Sequence, residues 1–368
     1  MVIAGDLYDG DWKDYNTGLF FVKEMTRLSE AGIPVVIAAG NHDAASRLTR
    51  DLRLPEGVKL LPSKAPDTVL LEELGVAIHG QSFPTQAVTD DLAASYPSAR
   101  SGLLNVGVLH TAFDGREGHA PYAPCSLVEL QTKGYDYWAL GHVHRREIVS
   151  KDPYVVFPGN TQGRHARELG PKGASVVAAE EGQILSVTPA ILDVVRWETC
   201  QVQAAEANSG VEVIELVASQ LENLAEAAGG RLLAVLVLIT GQSAAHADLA
   251  ARPEHWENQI RALALDSGAE IWVEKVKFAT RTALDIEALA QRDDPVGSLL
   301  RTLRELSCDG PSLEDYTDTF GELAENLPAE YGELEDALDF SNPTGLREIL
   351  QSVEGLLLPR LLEGTIPE

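Results

Sequence analysis

The sequence predicts an α/β fold of layered sheets and helices, followed by a small α+β domain and C-terminal helices. Through about residue 190, short apolar segments with the composition of β-strands alternate with helical stretches, and these segments end in polar, glycine-containing turns that carry His, Asp or Asn. Turns at strand ends can converge on one crevice while the sheet holds them rigid. We therefore expect a functional site in the first half of the chain.

The first part of the chain contains one predicted amphipathic helix and six predicted strands. Leu19, Val22, Met25 and Leu28 recur at helical spacing and predict a helix from Thr17 to Ala31. The predicted strands are Val2–Ala4, Pro34–Ala39, Gly75–His79, Asn105–Leu109, Tyr137–Leu140 and Val155–Phe157. Sequences that alternate in this way are typical of sheets covered by helices.

The second part of the chain has a different pattern. Residues 190–280 predict a strand–helix–strand–helix–strand unit without a cluster of ligand-type residues. From Asp285 onward the sequence predicts acidic amphipathic helices at 296–306, 316–327 and 344–362, which prolines break or end. We therefore predict three domains, at 1–190, 191–284 and 285–368.

The net charge of −27 is unevenly distributed along the chain. Residues 1–200 hold 25 acidic and 18 basic side chains, whereas residues 201–368 hold 31 and 11. Such a chain as a whole repels nucleic acid, because phosphate contacts need Lys and Arg. If the protein acts on DNA, a local basic patch, bound metal ions or a basic partner must supply the attraction.

The cysteines and the apolar segments indicate a cytoplasmic protein. Cys125, Cys200 and Cys308 are odd in number and far apart, which differs from the pattern of a disulfide framework. The longest apolar run, Leu232–Ile239, is much shorter than the roughly 18 residues of a membrane span. The N-terminus also lacks the pattern of an export signal, so we expect no membrane association.

Four short segments place metal-ligand side chains directly after predicted strands. Mn²⁺, Fe²⁺ and Zn²⁺ accept mixed imidazole, carboxylate and amide-oxygen ligands. A carboxylate that bridges two such ions about 3.5–4 Å apart helps to clamp a phosphate for in-line attack. The ordered set therefore indicates phosphoester hydrolysis. The segments are GDLYD (Asp6, Asp9), GNHD (Asn41, His42, Asp43), VLHT (His110) and GHVH (His142, His144).

Each segment alone has an ordinary structural explanation. A histidine at a strand end is more often a hydrogen-bonded structural residue than a ligand, and GDxxD is a common turn. GNHD is also consistent with a helix start that Asn41 or Asp43 caps. The prediction of a metal site depends on finding all four segments in this order, each after an apolar strand.

This ordered set resembles the calcineurin-like metallophosphoesterase superfamily. More narrowly, residues 1–175 resemble the bacterial SbcD-type DNA-repair exonuclease subunits and their YhaO-like branch. The resemblance implies a layered metallophosphoesterase β-sandwich flanked by helices, an α+β capping domain at 191–284 and an acidic helical tail at 285–368. The strings that carry the narrower resemblance are HTAFDGREGHAPYAPCSL (110–127), KGYDYWALGHVHRRE (133–147) and PGNTQGRHARELGPKG (158–173).

The resemblance implies two divalent metal ions, most often Mn²⁺, and a ligand set for each. Asp6 would bridge both ions. One site would be completed by Asn41, His110 and His142, whereas His144 would belong to the other site. A metal-activated hydroxide would attack phosphorus.

Catalytic and substrate-binding roles follow from the same resemblance. His42 would protonate the leaving oxygen or stabilise the developing charge, and Asp43 would orient it. Arg164, His165 and His119 lie in the longer strings and would position substrate phosphate, with the arginine as a bidentate donor. Hydrogen bonding within the loops is an equally open interpretation of these three residues.

The sequence departs from the family at its start. The family carries an Asp-x-His motif on a strand before GDxxD, and those two residues bind the same metal as His144. Here GDxxD begins at Gly5, so the motif is absent. We expect this truncated chain to bind one metal well and the second poorly, with impaired nuclease activity. A misplaced start, a fragment or a genuine short form would each explain the difference.

The resemblance also implies partners, namely DNA and an SbcC- or YhaN-like coiled-coil ATPase, and it allows a homodimer. Apolar faces such as Val296, Leu299, Leu300 and Leu303 suit docking to a partner helix, and they suit folding back on their own domain equally well. Two other functions stay open. One is a small-molecule phosphodiesterase or phosphatase on the same fold, which the acidic charge favours. The other is a non-catalytic subunit of an ATPase complex.

Overall fold

The structure, a computed structural model, describes residues 1–8, 15–45, 52–113, 122–283 and 285–308, together with 320, 345–347, 349–350, 353 and 357. It contains two compact units, Met1–Arg196 and Trp197–Glu368. The helices predicted at 316–327 and 344–362 lie largely outside the described residues, and the division into three domains stays a prediction.

Two β-sheets form the first unit. The smaller sheet is parallel and consists, in order, of β1 (Val2–Ala4), β2 (Val35–Ala38) and β3 (Val58–Leu60). The larger sheet contains β4 (Asp67–Leu71), β5 (Val76–Gly80), β6 (Leu104–His110), β7 (Tyr137–Gly141), β8 (Glu147–Lys151) and β9 (Tyr154–Phe157). Its order is β4-β5-β6-β7-β9-β8, with four parallel central strands and an antiparallel strand at each edge.

Alternating side chains of β2 separate two apolar layers. Val35 and Ile37 pack with Met25 of helix α1 (Asn16–Glu30) on the outer face of the smaller sheet. Val36 and Ala38 point the other way, into the cluster that lies between the two sheets. The helix predicted from the spacing at 17–31 is therefore confirmed, and the smaller sheet is buried on both faces.

The far face of the larger sheet forms a third apolar layer. Trp138 and Phe157 are fully buried there, together with Leu130 of α3 (Leu127–Thr132). Ser126 and Glu129 start α3 with a capping box, in which each side chain accepts a hydrogen bond from the other residue's backbone N–H. Helix, sheet, sheet and helix thus follow one another, which confirms the predicted layered α/β fold.

A hairpin follows the sandwich in the chain, and the second unit has a core of its own. The hairpin pairs β10 (Gly173–Glu180) with β11 (Gln183–Ile191). The second unit is built on the sheet β12-β13-β14 (Val195–Gln203, Leu232–Ser243, Ile271–Thr282). Three helices, α4 (Gly210–Ala228), α5 (His246–Ala251) and α6 (Pro253–Asp266), share its core. The predicted strands and helices are found here in the predicted order, and the short helix α5 is an addition that was not predicted.

The last two described helices pack against each other. Helices α7 (Ile286–Ala290) and α8 (Pro295–Cys308) bury Val296 and Leu300 against Ala290. Part of the predicted apolar face thus packs on the neighbouring helix, while its docking to a partner helix stays a prediction. Among the described residues, no helix is long and apolar enough to cross a membrane.

His79 is a core residue. Its side chain is fully buried and stacks on Tyr135, with 4.4 Å between the ring centroids. Its two ring nitrogens lie 2.9 Å from Thr68 Oγ1 and 3.0 Å from Asn105 Oδ1. The polar contacts of this histidine are therefore made within the larger sheet.

Burial of His79 makes stability depend on pH. Burial lowers the pKa of this histidine below its ordinary value. The unfolded chain then binds the proton more readily, so the stabilisation is present above about pH 6.5 and is lost as the pH falls towards the lowered pKa. We expect His79→Gln to flatten the dependence of the unfolding free energy on pH between about 7 and 5, as measured by urea unfolding. Replacing the exposed His255 with glutamine should leave the slope unchanged, and equal slopes in both variants would contradict this assignment.

Candidate metal centre

The motif residues of four strands meet where those strands end. Asp6 follows β1, Asn41 begins α2 (Asn41–Ala45) after β2, His110 ends β6 and His142 follows β7. The ligand atoms of Asp6, His110 and His142 all lie within 4.8 Å of one another. The two sheets of the sandwich therefore bring together side chains that are far apart in the sequence.

His110 lies at the centre of this group and is fully buried. Its Nδ1 is 2.9 Å from the carbonyl oxygen of Ala4, and because a carbonyl only accepts, Nδ1 carries a proton. Its Nε2 is 2.9 Å from Asn41 Oδ1 and 3.3 Å from Asp6 Oδ2. Ligands about 2.1 Å from one ion and at right angles stand about 3 Å apart. These spacings fit a divalent ion held by Nε2 and the two oxygens, with Nδ1 fixed by a backbone carbonyl.

Close backbone approach makes this geometry possible. A Cβ atom at Gly40 would lie 2.4 Å from Asp6 Oδ1, and one at Gly141 would lie 1.8 Å from the carbonyl oxygen of Ala4. Asp6 and His142 themselves have left-handed backbones, with φ of 50° and 93°. Non-glycine residues in such conformations are strained and cluster at functional sites.

The electrostatics of Asp6 suit a metal-binding carboxylate. Burial raises its pKa, but the hydrogen bond and charge of His110 and the backbone N–H of His42 outweigh that effect. The His42 nitrogen donates to Asp6 Oδ1 over 3.0 Å. The net result is a pKa below the ordinary value for aspartate, so Asp6 is ionised near neutral pH and presents Oδ2 to the centre.

Asp43 joins two of the motif loops. Its carboxylate accepts hydrogen bonds from the backbone N–H groups of Gly40, Leu7 and Tyr8, over 2.9, 3.2 and 3.1 Å. Burial raises its pKa, and these donors offset only part of that effect. Asp43 therefore holds GDLYD against GNHD, while its predicted role in orienting His42 stays a prediction. His42 itself is half-buried in the first turn of α2.

His144 belongs to a second group, the Glu168 cluster, which consists of His144, Asn160, Arg164 and Glu168. His144 Nδ1 lies 2.6 Å from Glu168 Oε1, and Arg164 Nη2 lies 3.3 Å from the same oxygen. The other oxygen, Oε2, accepts from Asn160 Nδ2 over 2.8 Å and from the Arg164 backbone N–H over 2.9 Å. These polar groups fix the position of Glu168 beside His144, which lies in the β7–β8 turn.

Glu168 was not predicted from the sequence. Burial opposes its ionisation, yet the Arg164 N–H, His144 and Asn160 together lower its pKa to about 2. In the sequence, only its position four residues after Arg164, within the string 158–173, distinguishes Glu168. An acidic residue at this spacing can pair with the arginine across one turn.

The remaining predicted residues are distributed as follows. His165 is exposed and its Nδ1 accepts the backbone N–H of Arg167 over 3.2 Å. His119 and Asp9 lie outside the described residues. Cys125 and Cys200 are buried thiols without a disulfide. The membership of Asp6, Asn41, His110, His142 and His144 in a metal site stays a prediction that this geometry supports.

Two family models match the chain in sequence. Residues 1–146 match the calcineurin-like phosphoesterases, and residues 197–281 match the middle domain of the metallophosphoesterase YhaO. The matched ranges cover the sandwich up to the GHVH segment and most of the sheet of the second unit.

Individual relatives are similar over the same region. The chain is 34% identical over 228 residues to an uncharacterized metallophosphoesterase, YhaO of Bacillus subtilis, which covers 61% of this chain and 56% of that protein. It is 26% identical over 161 residues to the DNA double-strand break repair protein Mre11 of Sulfurisphaera tokodaii, covering 41% of this chain and 40% of that protein. Mre11 of Sulfolobus acidocaldarius is 29% identical over 156 residues, with 40% and 39% covered. The chain thus spans little more than half the length of YhaO and less of the Mre11 proteins. By its motifs, its layered fold and these matches, the first unit carries a calcineurin-like phosphoesterase domain, and the chain is similar to the YhaO-like branch of that family.

Proposed function

We propose that this protein is a metal-dependent phosphodiesterase that hydrolyses DNA as a nuclease subunit in repair. The observation that supports it most is the convergence of Asp6 Oδ2, Asn41 Oδ1 and His110 Nε2 at distances of 2.9–3.3 Å, with His142 beside them. Oxygen and imidazole ligands of this kind suit Mn²⁺, which we propose as the native metal.

Each residue of the centre has a place in the proposed reaction. Divalent ions, when bound, would neutralise phosphate charge and lower the pKa of an attacking water. Asp6, Asn41, His110 and His142 would hold one ion, and His144 with Asp6 would hold the other. The ions so held would fix the phosphate for in-line attack, and the hydrogen bonds of Asp6 and His110 would keep these two ligands in place.

Local charge supports a phosphate substrate despite the acidic chain. Residues 144–172 carry six basic and three acidic side chains, a net charge of +3. Arg164 and His165 lie in this segment, and we propose that they contact the substrate backbone, as His119 would. The names of the Mre11 relatives, which describe DNA double-strand break repair, support DNA over a small molecule.

The proposed partners are a coiled-coil ATPase of the SbcC or YhaN kind and a second copy of this chain. Helix α1 leaves Leu19 and Phe20 61% and 66% exposed, so an apolar surface is available for association. We propose a cytoplasmic location, in keeping with the buried thiols of Cys125 and Cys200, which form no disulfide.

A substrate panel tests the proposed function. Single-stranded DNA, a phosphomonoester and a cyclic nucleotide would each be incubated with the Mn²⁺-loaded protein, and products would be quantified under single-turnover conditions. We expect DNA to be cleaved in preference to the other two substrates, at the impaired rate expected from the sequence. Preferential turnover of the cyclic nucleotide or the monoester would favour the small-molecule alternative, for which the net charge of −27 is the supporting observation.

His42 is expected to act as a proton donor beside the phosphate. Its ring is half-buried and its backbone is fixed by Asp6, so it can lie at the edge of the centre. We expect His42→Gln to slow DNA cleavage about 10²–10⁴-fold, the usual contribution of general acid–base catalysis. Mn²⁺ affinity, measured by isothermal titration calorimetry, should change little. The control is His255→Gln, and an unaltered rate in His42→Gln would support a non-catalytic subunit.

A further inference from the structure

Glu168 combines burial, charge and a full set of partners. Only 7% of its side chain is exposed, and its two oxygens receive hydrogen bonds from three different residues. A carboxylate that is buried without such partners is strongly destabilising. The protein therefore buries this charge next to His144, a histidine of the GHVH segment.

The bond from His144 to Glu168 fixes the tautomer of the imidazole. An ionised carboxylate only accepts, so His144 Nδ1, 2.6 Å away, must be the donor. In the neutral ring the acceptor lone pair is then on Nε2. A carboxylate that holds the distal nitrogen of an imidazole in this way orients the ring and makes it a more basic metal ligand.

The same carboxylate also places Arg164. The guanidinium and the backbone N–H of Arg164 both reach Glu168, over 3.3 and 2.9 Å. Arg164 Nη2 also lies 3.4 Å from His144 Nδ1, but both atoms are donors to Glu168 Oε1, so that short distance reflects a shared acceptor. One buried oxygen therefore sets the positions of an imidazole and of a guanidinium.

We propose that Glu168 is a positioning residue that holds His144 with its Nε2 available to a metal ion and holds Arg164 beside it for substrate phosphate. This inference rests on the proposed function, because it takes His144 as a ligand. Glu168 would touch neither metal nor substrate itself. Its effect would pass through the two side chains that it bonds.

The first test measures the tautomer of His144 in the unsubstituted protein. Long-range ¹H–¹⁵N correlation spectra of the metal-free, histidine-labelled protein report which nitrogen of each neutral imidazole carries the proton, and His144→Gln assigns the signal. We expect His144 to be protonated at Nδ1. Protonation at Nε2 would overturn the proposal.

The second test measures metal affinity. We expect Glu168→Gln to weaken Mn²⁺ binding about 10–100-fold, the usual effect of removing a residue that orients a ligand. Glu180→Gln, at an exposed position on β10, loses the same charge and should bind Mn²⁺ as the original protein does. Unchanged affinity in a folded Glu168→Gln protein would overturn the proposal.

A third variant separates this inference from the proposed function. His144→Ala should weaken Mn²⁺ binding at least as much as Glu168→Gln does. If His144→Ala weakens binding and Glu168→Gln does not, the positioning role is wrong while the ligand set stands. If neither changes the affinity, His144 is not a ligand, and both the proposed second site and this inference are wrong.

Discussion

Replacing Asp6 with alanine is expected to remove metal binding and DNA hydrolysis together. Asp6 is the only carboxylate in the described three-residue group, and its Oδ2 lies 3.3 Å from His110 Nε2. Without it, the imidazoles and the Asn41 amide supply no negative charge to the centre. We expect Mn²⁺ affinity to fall by more than 10²-fold and the cleavage rate by about 10³-fold, the latter corresponding to about 4 kcal/mol of lost transition-state stabilisation.

Calorimetry and single-turnover kinetics measure the two effects of Asp6→Ala. Asp90→Ala is a matched control, because Asp90 is an exposed aspartate of the same unit. The removed side chain also accepts the His42 N–H, so circular dichroism must show that the variant is folded. If a folded Asp6→Ala protein bound Mn²⁺ as the control does, the metal centre would not be where the motif residues converge.

Much of the first unit could be predicted because hydrophobic alternation and strand-end motifs are local signals. The strands that carry Asp6, Asn41, His110 and His142 were all predicted within a residue or two of their observed ends. Edge strands such as β4 and β8 were not predicted, since polar residues shorten the apolar runs in their sequences, DTVLL and EIVSK. Hydrogen-bonded pairing with β5 and β9 stabilises these two strands, although their composition alone does not favour β-structure.

The part of the site that could not be predicted depends on contacts between distant residues. A glutamate such as Glu168 looks like any surface carboxylate in the sequence, because only the fold carries it to His144, 24 residues away. His79 illustrates the opposite case. It follows an apolar strand pattern as the proposed ligand histidines do, but β5 places its ring between Thr68 and Asn105. A position at a strand end therefore identifies candidate metal ligands in the sequence. Contacts with the neighbouring strands determine whether such a residue can be a ligand or is a core residue.

Gly141→Ala is expected to damage fold and centre at once. A Cβ atom at this position would lie 1.8 Å from the carbonyl oxygen of Ala4 and 2.8 Å from His110 Nδ1. Both contacts involve backbone or a fully buried ring, so β1 would have to move away from β7. That movement would also break the bond between Ala4 and His110 that orients the imidazole. We expect a loss of about 3 kcal/mol in unfolding free energy, at the upper end of overpacking effects.

Urea unfolding and Mn²⁺ titration of Gly141→Ala test this expectation, with Gly102→Ala as the control. Gly102 has a φ of +78° and nothing within 4 Å of an added Cβ, so its variant should lose only about 1 kcal/mol through backbone strain and bind Mn²⁺ normally. The two variants thus separate the loss of unfolding free energy caused by an added methyl group in open space from the loss caused by moving β1 away from β7. If Gly141→Ala were no less stable than Gly102→Ala and retained its Mn²⁺ affinity, the close approach of the two strands would not be what holds the centre together.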